Sequence, residues 1–304
     1  MQPILDSELI LNPDGSIYHL NLHPEQVAPT VITVGDPDRV AAVSKYFDKI
    51  DHQVQKREFV THTGWIGKKR LTVISTGIGT GNIDIVFNEL DALFNVDLAS
   101  KTPKKTSSQL QFIRIGTSGC LKKNIPLDTF LVSEFAVGMD NLLTYYEYLP
   151  TIAEQNLQNR LQHFLKTTDE ETLNIPYVCA SNEALVNKLG RGFQKGITLT
   201  CPGFYGPQGR QLRARIKASK FLDYFVHFNQ HNFQFQQKKN TFDWKITNFE
   251  METAAIYGLA NILGHQAISF NALLANRETG AFSKNPKETV DRLIVKVVEL
   301  ISEN

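Results

Sequence analysis

A chain of 304 residues can bury about three-quarters of the surface its unfolded form would expose, enough for one large domain. Its 32 Lys and Arg nearly balance 31 Asp and Glu, a formal net charge of +1, which excludes a nucleic-acid or membrane-surface role driven by net charge. Cys120, Cys179 and Cys201 are odd in number without CxxC spacing, so neither zinc nor a disulfide framework is expected and a reducing cytoplasm is the default. The first eleven residues lack a basic region followed by an apolar one, so no signal peptide is expected. No apolar run approaches the roughly 20 residues of a membrane span.

Along the chain, short apolar β-branched runs alternate with helical patterns. Strands are expected at 30–34, 71–75, 112–115, 129–132, 197–200 and 267–274, each apolar enough for a sheet covered on both faces. Helices are expected at 39–46, 83–94 and 184–189, giving an α/β domain with a largely parallel or mixed sheet. A further helix follows residue 252. The last is marked by Asn285 as cap, Pro286 in the first turn and Glu288 three residues after the cap, with Val290, Leu293, Ile294, Val297 and Ile301 at helical spacing. One domain is expected over 1–304, with surface insertions near 101–109 and 225–243. Lys101, Lys104 and Lys105 read as part of a solvated loop.

Chemistry gathers beyond strand ends. Gly35-Asp36-Pro37-Asp38-Arg39-Val40 and Arg114-Ile115-Gly116-Thr117-Ser118-Gly119 each join a strand to a turn, offering glycine amides, a hydroxyl and guanidinium groups. Arg57 is a third candidate, since arginine matches phosphate oxygens bidentately. The loop Gly77-Ile78-Gly79-Thr80-Gly81-Asn82 has Asn82 where a dinucleotide fingerprint ends in glycine, so it reads as a tight strand-to-helix turn. Arginines and backbone amides fit inorganic phosphate better than a dinucleotide. In Asn248-Phe249-Glu250-Met251-Glu252-Thr253, two acids stand where a strand passes into a helix. Two readings fit: acidic residues capping the helix, or cleft carboxylates gripping the vicinal hydroxyls of a ligand.

Gly-Asp-Pro-Asp-Arg-Val, Arg57-Glu58-Phe59, Ser75-Thr76-Gly77-Ile78-Gly79, Arg-Ile-Gly-Thr-Ser-Gly and Phe-Glu-Met-Glu-Thr-Ala-Ala resemble, in order, the motifs of the nucleoside phosphorylases of the uridine and hexameric purine type. The resemblance runs from Tyr18 to the C-terminal helix and is nearest to the uridine enzymes through Phe204-Tyr205-Gly206-Pro207-Gln208-Gly209-Arg210. It implies a single domain whose mixed, mostly parallel sheet forms a partly closed barrel flanked by helices. It further implies phosphorolysis of a pyrimidine nucleoside, uridine and phosphate giving uracil and ribose 1-phosphate, in nucleoside salvage or breakdown. Phosphate is a co-substrate and no cofactor is expected.

By that resemblance, Gly35, Arg39, Arg114, Thr117 and a neighbour's Arg57 hold phosphate. Glu252, Met251, Glu250 and Thr117 face the ribose, with a neighbour's His19 at the 5′-hydroxyl. Phe204, Gln208, Arg210 and Arg277 face the base. A glutamine amide can both donate to uracil O2 and accept from N3–H, while Arg210 donates to O4. Arg114, Glu252, Arg210 and Gln208 are the residues expected to carry catalysis. Purine-specific relatives use an aspartic acid where Asn276 stands here. Gln208-Gly209-Arg210 departs from the expected Gln-Glu-Arg, and Gly203 from a polar residue, which bears on how strict the uridine preference is. No metal is expected; the positions at which some relatives hold potassium match Glu58, Ile78 and Asn82. Expected partners are nucleoside, phosphate and further copies of the chain, in an oligomer of dimers, usually a hexamer, with sites shared across a dimer interface. The competing readings are a purine phosphorylase, a nucleosidase of the same fold, and a non-catalytic nucleoside-binding homologue.

Overall fold

The computed structural model describes residues 2–167, 175–217, 221–229, 234–237, 240–243 and 245–303. The chain opens with β1 (Thr30–Val34) and α1 (Pro37–Ser44), then runs through the antiparallel meander β2 (Lys49–Lys56), β3 (Phe59–Ile66) and β4 (Lys69–Ser75). Next come α2 (Thr80–Asn95), the short strands β5 (Val96–Asp97) and β6 (Thr102–Pro103), β7 (Gln111–Cys120) and β8 (Phe130–Gly138). The middle of the chain holds α3 (Ile152–Lys166), β9 (Tyr177–Ala180), α4 (Glu183–Leu189), β10 (Gln194–Thr200) and α5 (Phe221–Phe228). A hairpin of β11 (Gln234–Gln237) and β12 (Asn240–Asp243) leads to β13 (Ile246–Glu250), α6 (Thr253–Ile262), β14 (Gln266–Asn276), β15 (Ala281–Phe282) and α7 (Pro286–Glu303).

The sheet closes on itself in part. β7 pairs in parallel with β14, which pairs antiparallel with β8. β8 and β13 flank β10 in parallel, and β13 returns to β7 through Asn248↔Cys120 and Phe249↔Gly119. Five strands thus form a ring, and β1, β4, β3 and β2 extend from β7 as an open wing. This is the expected single α/β domain with a partly closed barrel.

Alternating residues of β1 show why the strands read as continuous apolar runs. Val31 packs with Phe87 and Tyr257 beneath α2 and α6, whereas Ile32 packs with Val40, Leu293 and Ile294 beneath α1 and α7. Helices cover both faces, so neither side of the strand alternates with polar residues. A third apolar cluster joins α3 and α5 to the ring through Leu157, Phe225, Leu199 and Phe249. None of the helices among the described residues is long and apolar enough to cross a membrane.

The 101–109 stretch is anchored. Lys101 Nζ donates to the Asp6 carboxylate and the Leu9 carbonyl, each at 2.7 Å, and Lys104 Nζ to the Phe94 carbonyl at 2.7 Å. The 225–243 stretch begins inside α5, where Phe225 and Phe228 are core residues. Its residues 230–233 and 238–239 lie outside the described residues.

Candidate active site

Four segments converge at one end of the ring and its wing. Gly35 leaves β1, and Asp36 then caps α1 by accepting the Asp38 amide at 3.0 Å. The Thr76 amide bonds the Val34 carbonyl at 2.8 Å, which holds the end of β4 beside the end of β1. Gly77 and Gly79 then turn the chain into α2 with φ of 68° and 92°, conformations open to glycine. This is the tight strand-to-helix turn read from the sequence. Its Gly79 amide donates to Glu252 Oε1 at 2.8 Å, which ties the turn to the start of α6.

Arg114, in mid-β7, is buried among acids. Its Nη2 stands 2.8 Å from Glu250 Oε2 and 2.7 Å from Glu252 Oε2. Its Nη1 donates to Asn271 Oδ1 at 2.9 Å and to Ser269 Oγ at 3.4 Å. Burial works against the guanidinium charge, but the two carboxylates outweigh it and the pKa of Arg114 is raised. Burial lifts the Glu252 carboxyl above its ordinary range and the Glu250 charge adds to this, with Arg114 opposing.

The two acids divide the two readings of the sequence between them. Glu250 accepts the Glu252 and Thr253 amides, the Thr253 hydroxyl and the Thr200 hydroxyl, so it caps α6 from inside the fold. Among the described residues the Glu252 carboxylate bonds only Arg114 and the Gly79 amide, and that arrangement leaves lone pairs for a further donor. Arg39 is half-buried, with Nη1 3.3 Å from the Ile115 carbonyl. Burial lowers its pKa, and the charge of Arg114 lowers it further, so two guanidinium groups share one region. Thr117 lies two residues beyond Ile115 and is half-buried.

The loop between β10 and α5 forms the second cluster. Arg210 donates to the Phe204 carbonyl at 2.8 Å and to Gln208 Oε1, and its guanidinium stacks 3.9 Å from the Phe204 ring centre. Gln208 is buried, whereas Phe204 is 51% exposed. Arg277 donates to the Gly209 carbonyl at 2.9 Å. Burial, and then the charge of Arg277, lowers the pKa of Arg210. Phe249 joins this cluster to β7, because its ring lies 5.6 Å from the Arg210 guanidinium and packs directly on Gly119.

His19 and Arg57 have other partners. His19 Nδ1 lies 2.6 Å from Glu89 Oε1, and Arg57, exposed at the tip of the β2–β3 hairpin, lies 5.9 Å from the Tyr18 ring centre. Of the cation positions, Asn82 Nδ2 donates to Glu58 Oε1 at 3.2 Å and Ile78 is 71% exposed. Among the described residues there is no group of three or more His, Cys, Asp or Glu that could hold a metal ion. Asn271 and Ser269, which hold Arg114, were not singled out by the sequence reading; the available signal was two polar residues inside the apolar run 267–274.

The sequence matches the Phosphorylase superfamily over residues 29–302. It is 28% identical to a uridine phosphorylase of Thermococcus kodakarensis over 306 residues, covering 100% of this chain and 93% of that protein. It is 26% identical to a uridine phosphorylase of Haemophilus influenzae, over 86% and 87% of the two chains. Among solved structures, a Trypanosoma brucei nucleoside phosphorylase described as showing uridine phosphorylase activity superposes with a TM-score of 0.81 at 28% identity, covering 97% of this chain and 98% of that one. A purine nucleoside phosphorylase of Toxoplasma gondii shares the fold, with a TM-score of 0.65 at 21% identity over 96% and 97% of the two chains. The chain belongs to the phosphorylase superfamily.

Proposed function

We propose that this protein is a nucleoside phosphorylase, a pentosyltransferase, acting on uridine and phosphate to give uracil and ribose 1-phosphate. The observation that carries this reading is Arg114 held against Glu252 at 2.7 Å in a buried site. Phosphorolysis needs an anion and a sugar side by side at C1′, and this pair offers one group for each. Arg39 and the Gly35 and Thr117 segments supply further donors for phosphate, while Glu252 and the Met251 amide face the 2′- and 3′-hydroxyls.

Phosphate attacks C1′, the C1′–N1 bond breaks, and its electron pair leaves with uracil. Gln208 and Arg210 stabilise the charge that develops at O2 and O4 more than they stabilise the neutral base, with Arg277 supporting Arg210. Glu252 offsets the positive charge on the sugar in the transition state. No side chain acts as nucleophile; positioning and charge complementarity carry the rate. The reaction uses no cofactor. Three unpaired, buried cysteines favour a reducing cytoplasm. Within one chain His19 is bound to Glu89 and Arg57 is exposed beside Tyr18, and in this reading a second copy supplies them to the site.

The test is release of free base from uridine, thymidine and inosine with and without phosphate. Uracil release that requires phosphate is the expected result. Inosine cleavage in preference to uridine moves the assignment to purines, and turnover without phosphate makes the protein a nucleosidase.

A further inference from the structure

Inside the five-stranded ring runs a belt of side-chain hydrogen bonds that takes a residue from every strand and begins and ends on β7. Arg114 Nη1 donates to Asn271 Oδ1 on β14 at 2.9 Å, and Asn271 Nδ2 donates to Ser133 Oγ on β8 at 3.2 Å. Ser133 Oγ lies 2.6 Å from Thr198 Oγ1 on β10. Thr198 donates to Asn248 Oδ1 on β13 at 2.9 Å, and Asn248 Nδ2 donates to Ser118 Oγ on β7 at 2.9 Å. Ser133, Thr198, Asn248 and Asn271 are completely buried.

The direction of the belt follows from its first member. A guanidinium has no lone pair to offer, so Asn271 must present its oxygen to Arg114 and its amide N–H groups to Ser133. Thr198 gives its hydrogen to Asn248, so Ser133 gives its own to Thr198. Every link therefore points the same way around the ring, and reversing one member breaks two bonds among fully buried groups. A branch runs from Asn271 Nδ2 to Ser269 Oγ at 3.2 Å, on to Thr253 Oγ1 at 3.0 Å, and so to Glu250 Oε2 at 2.9 Å. Asn271 thus joins Arg114 both to the belt and to the acid that caps α6.

We propose that Asn271 is the positioning residue of Arg114, with Ser133 fixing its amide so that the guanidinium is aimed at phosphate before any ligand arrives. This rests on the phosphorolysis reading, because it is phosphate that Arg114 is aimed at. In register, Asn271 stands opposite Gly116, the residue two beyond Arg114 on β7. It therefore meets the guanidinium at its tip, where a lost acceptor frees the head of the side chain to swing.

The experiment is calorimetric titration of the full chain with inorganic phosphate, with steady-state kinetics alongside. Variants are Asn271→Leu, which fills the space without an acceptor, and Ser133→Ala, which removes the acceptor of the Asn271 amide together with the bond from Ser133 to Thr198 and leaves Asn271 itself in place. Tyr257→Phe is the control: its hydroxyl donates to the Ser133 carbonyl at 2.7 Å and accepts the Ser269 amide at 2.9 Å, so two buried bonds are lost while every side-chain hydrogen bond of Arg114 and of the belt is kept. The expected result is phosphate affinity weaker by about tenfold or more in Asn271→Leu, with a smaller loss in Ser133→Ala and little change in Tyr257→Phe. KM for phosphate should rise more than KM for nucleoside, a split that general loss of stability would not produce. If Asn271→Leu does not fold, Ser133→Ala against Tyr257→Phe decides alone. Equal phosphate affinity in the belt variant and the control overturns the positioning role and leaves phosphorolysis standing. A wild-type protein that binds no phosphate removes both.

Discussion

Arg114 lies over Gly116, and only the missing side chain makes room for it. A Cβ on Gly116 would stand 2.7 Å from Arg114 Nη2 and closer still to Nη1 and Cζ. Residues two apart on a strand share a face, so the Arg-Ile-Gly motif places a glycine where the arginine head must fold back. The sequence suggests that the motif passes from strand into turn, but Arg114 to Gly119 lies wholly within β7 and is paired along β14, so it acts as a steric pair on one strand face.

Gly116→Ala should therefore displace the guanidinium without unfolding the strand, since Gly116 has no positive φ to protect. A shift of about 1 Å at a positioned group can cost on the order of a hundredfold in rate. The expected outcome is a loss of that size in phosphate-dependent base release with a cooperative thermal transition still present. Wild-type turnover in this variant would show that the packing over Gly116 is not needed for function.

The pH dependence follows from Glu252. Its carboxyl is lifted above 4.5, chiefly by burial, so it stays protonated at a pH where an exposed glutamate is already ionised. The proposed chemistry uses the ionised form, so kcat/KM should rise with pH along an acid limb whose midpoint lies above 4.5. The same raised value has a stability consequence of defined sign. The folded state binds the proton more tightly, so this group's contribution is present below the unfolded pKa and lost as pH rises through the folded one. Glu252→Gln should lower kcat/KM at neutral pH by about a hundredfold, abolish that limb in the residual activity, and flatten the stability curve across the same window. An unchanged acid limb in the variant would assign it to another group.

The specificity loop gives a third expectation. In this structure Arg210 donates to Gln208 Oε1 and the Phe204 carbonyl, so the loop's polar groups satisfy one another. A uracil edge would exchange those bonds for its own. Replacing both Gln208 and Arg210 by alanine should lower uridine kcat/KM by at least about a hundredfold, measured by base release. Phosphate affinity should stay near wild type, because Arg39 and Arg114 lie in the other cluster. Normal uridine cleavage by the double variant would remove the base-binding role from both residues.

How far the sequence revealed this arrangement depends on how local each signal is. β1 is where its β-branched run placed it, 30–34, because all five residues favour a strand and Val31 to Val34 are buried. α1 begins two residues before the expected 39, since Asp36 caps it and Pro37 opens it. α3 falls in none of the expected elements although Thr151 and Glu154 form a capping box, and its largely polar surface hid the period. The two acids around Met251 were legible as residue types, but it was not legible that both meet Arg114 while Glu250 alone caps α6 and Glu252 alone takes the Gly79 amide. That division depends on Gly79 and Arg114 arriving from elements far away in sequence. The belt was invisible for the same reason. Ser133, Thr198 and Asn248 lie in separate strands, and the belt is complete only when β13 closes the ring against β7.

Asn276 closes the case for reading positions by their bonds. Its Nδ2 donates to the Lys122 carbonyl at 3.0 Å, and its Oδ1 accepts the Glu278 and Thr279 amides, each at 3.1 Å. The side chain is buried and both its amide and its oxygen are bonded, so it builds the turn after β14; only the resemblance suggests that purine-specific enzymes carry an acid here. Asn276→Asp would keep the acceptor and lose the donor, leaving the Lys122 carbonyl facing a carboxylate. The expected outcome is a loss of about 1–3 kcal/mol in stability, read as a lower melting temperature, with no gain in inosine cleavage. A single substitution that instead conferred inosine phosphorolysis would show that this position sets base choice independently of Gln208 and Arg210.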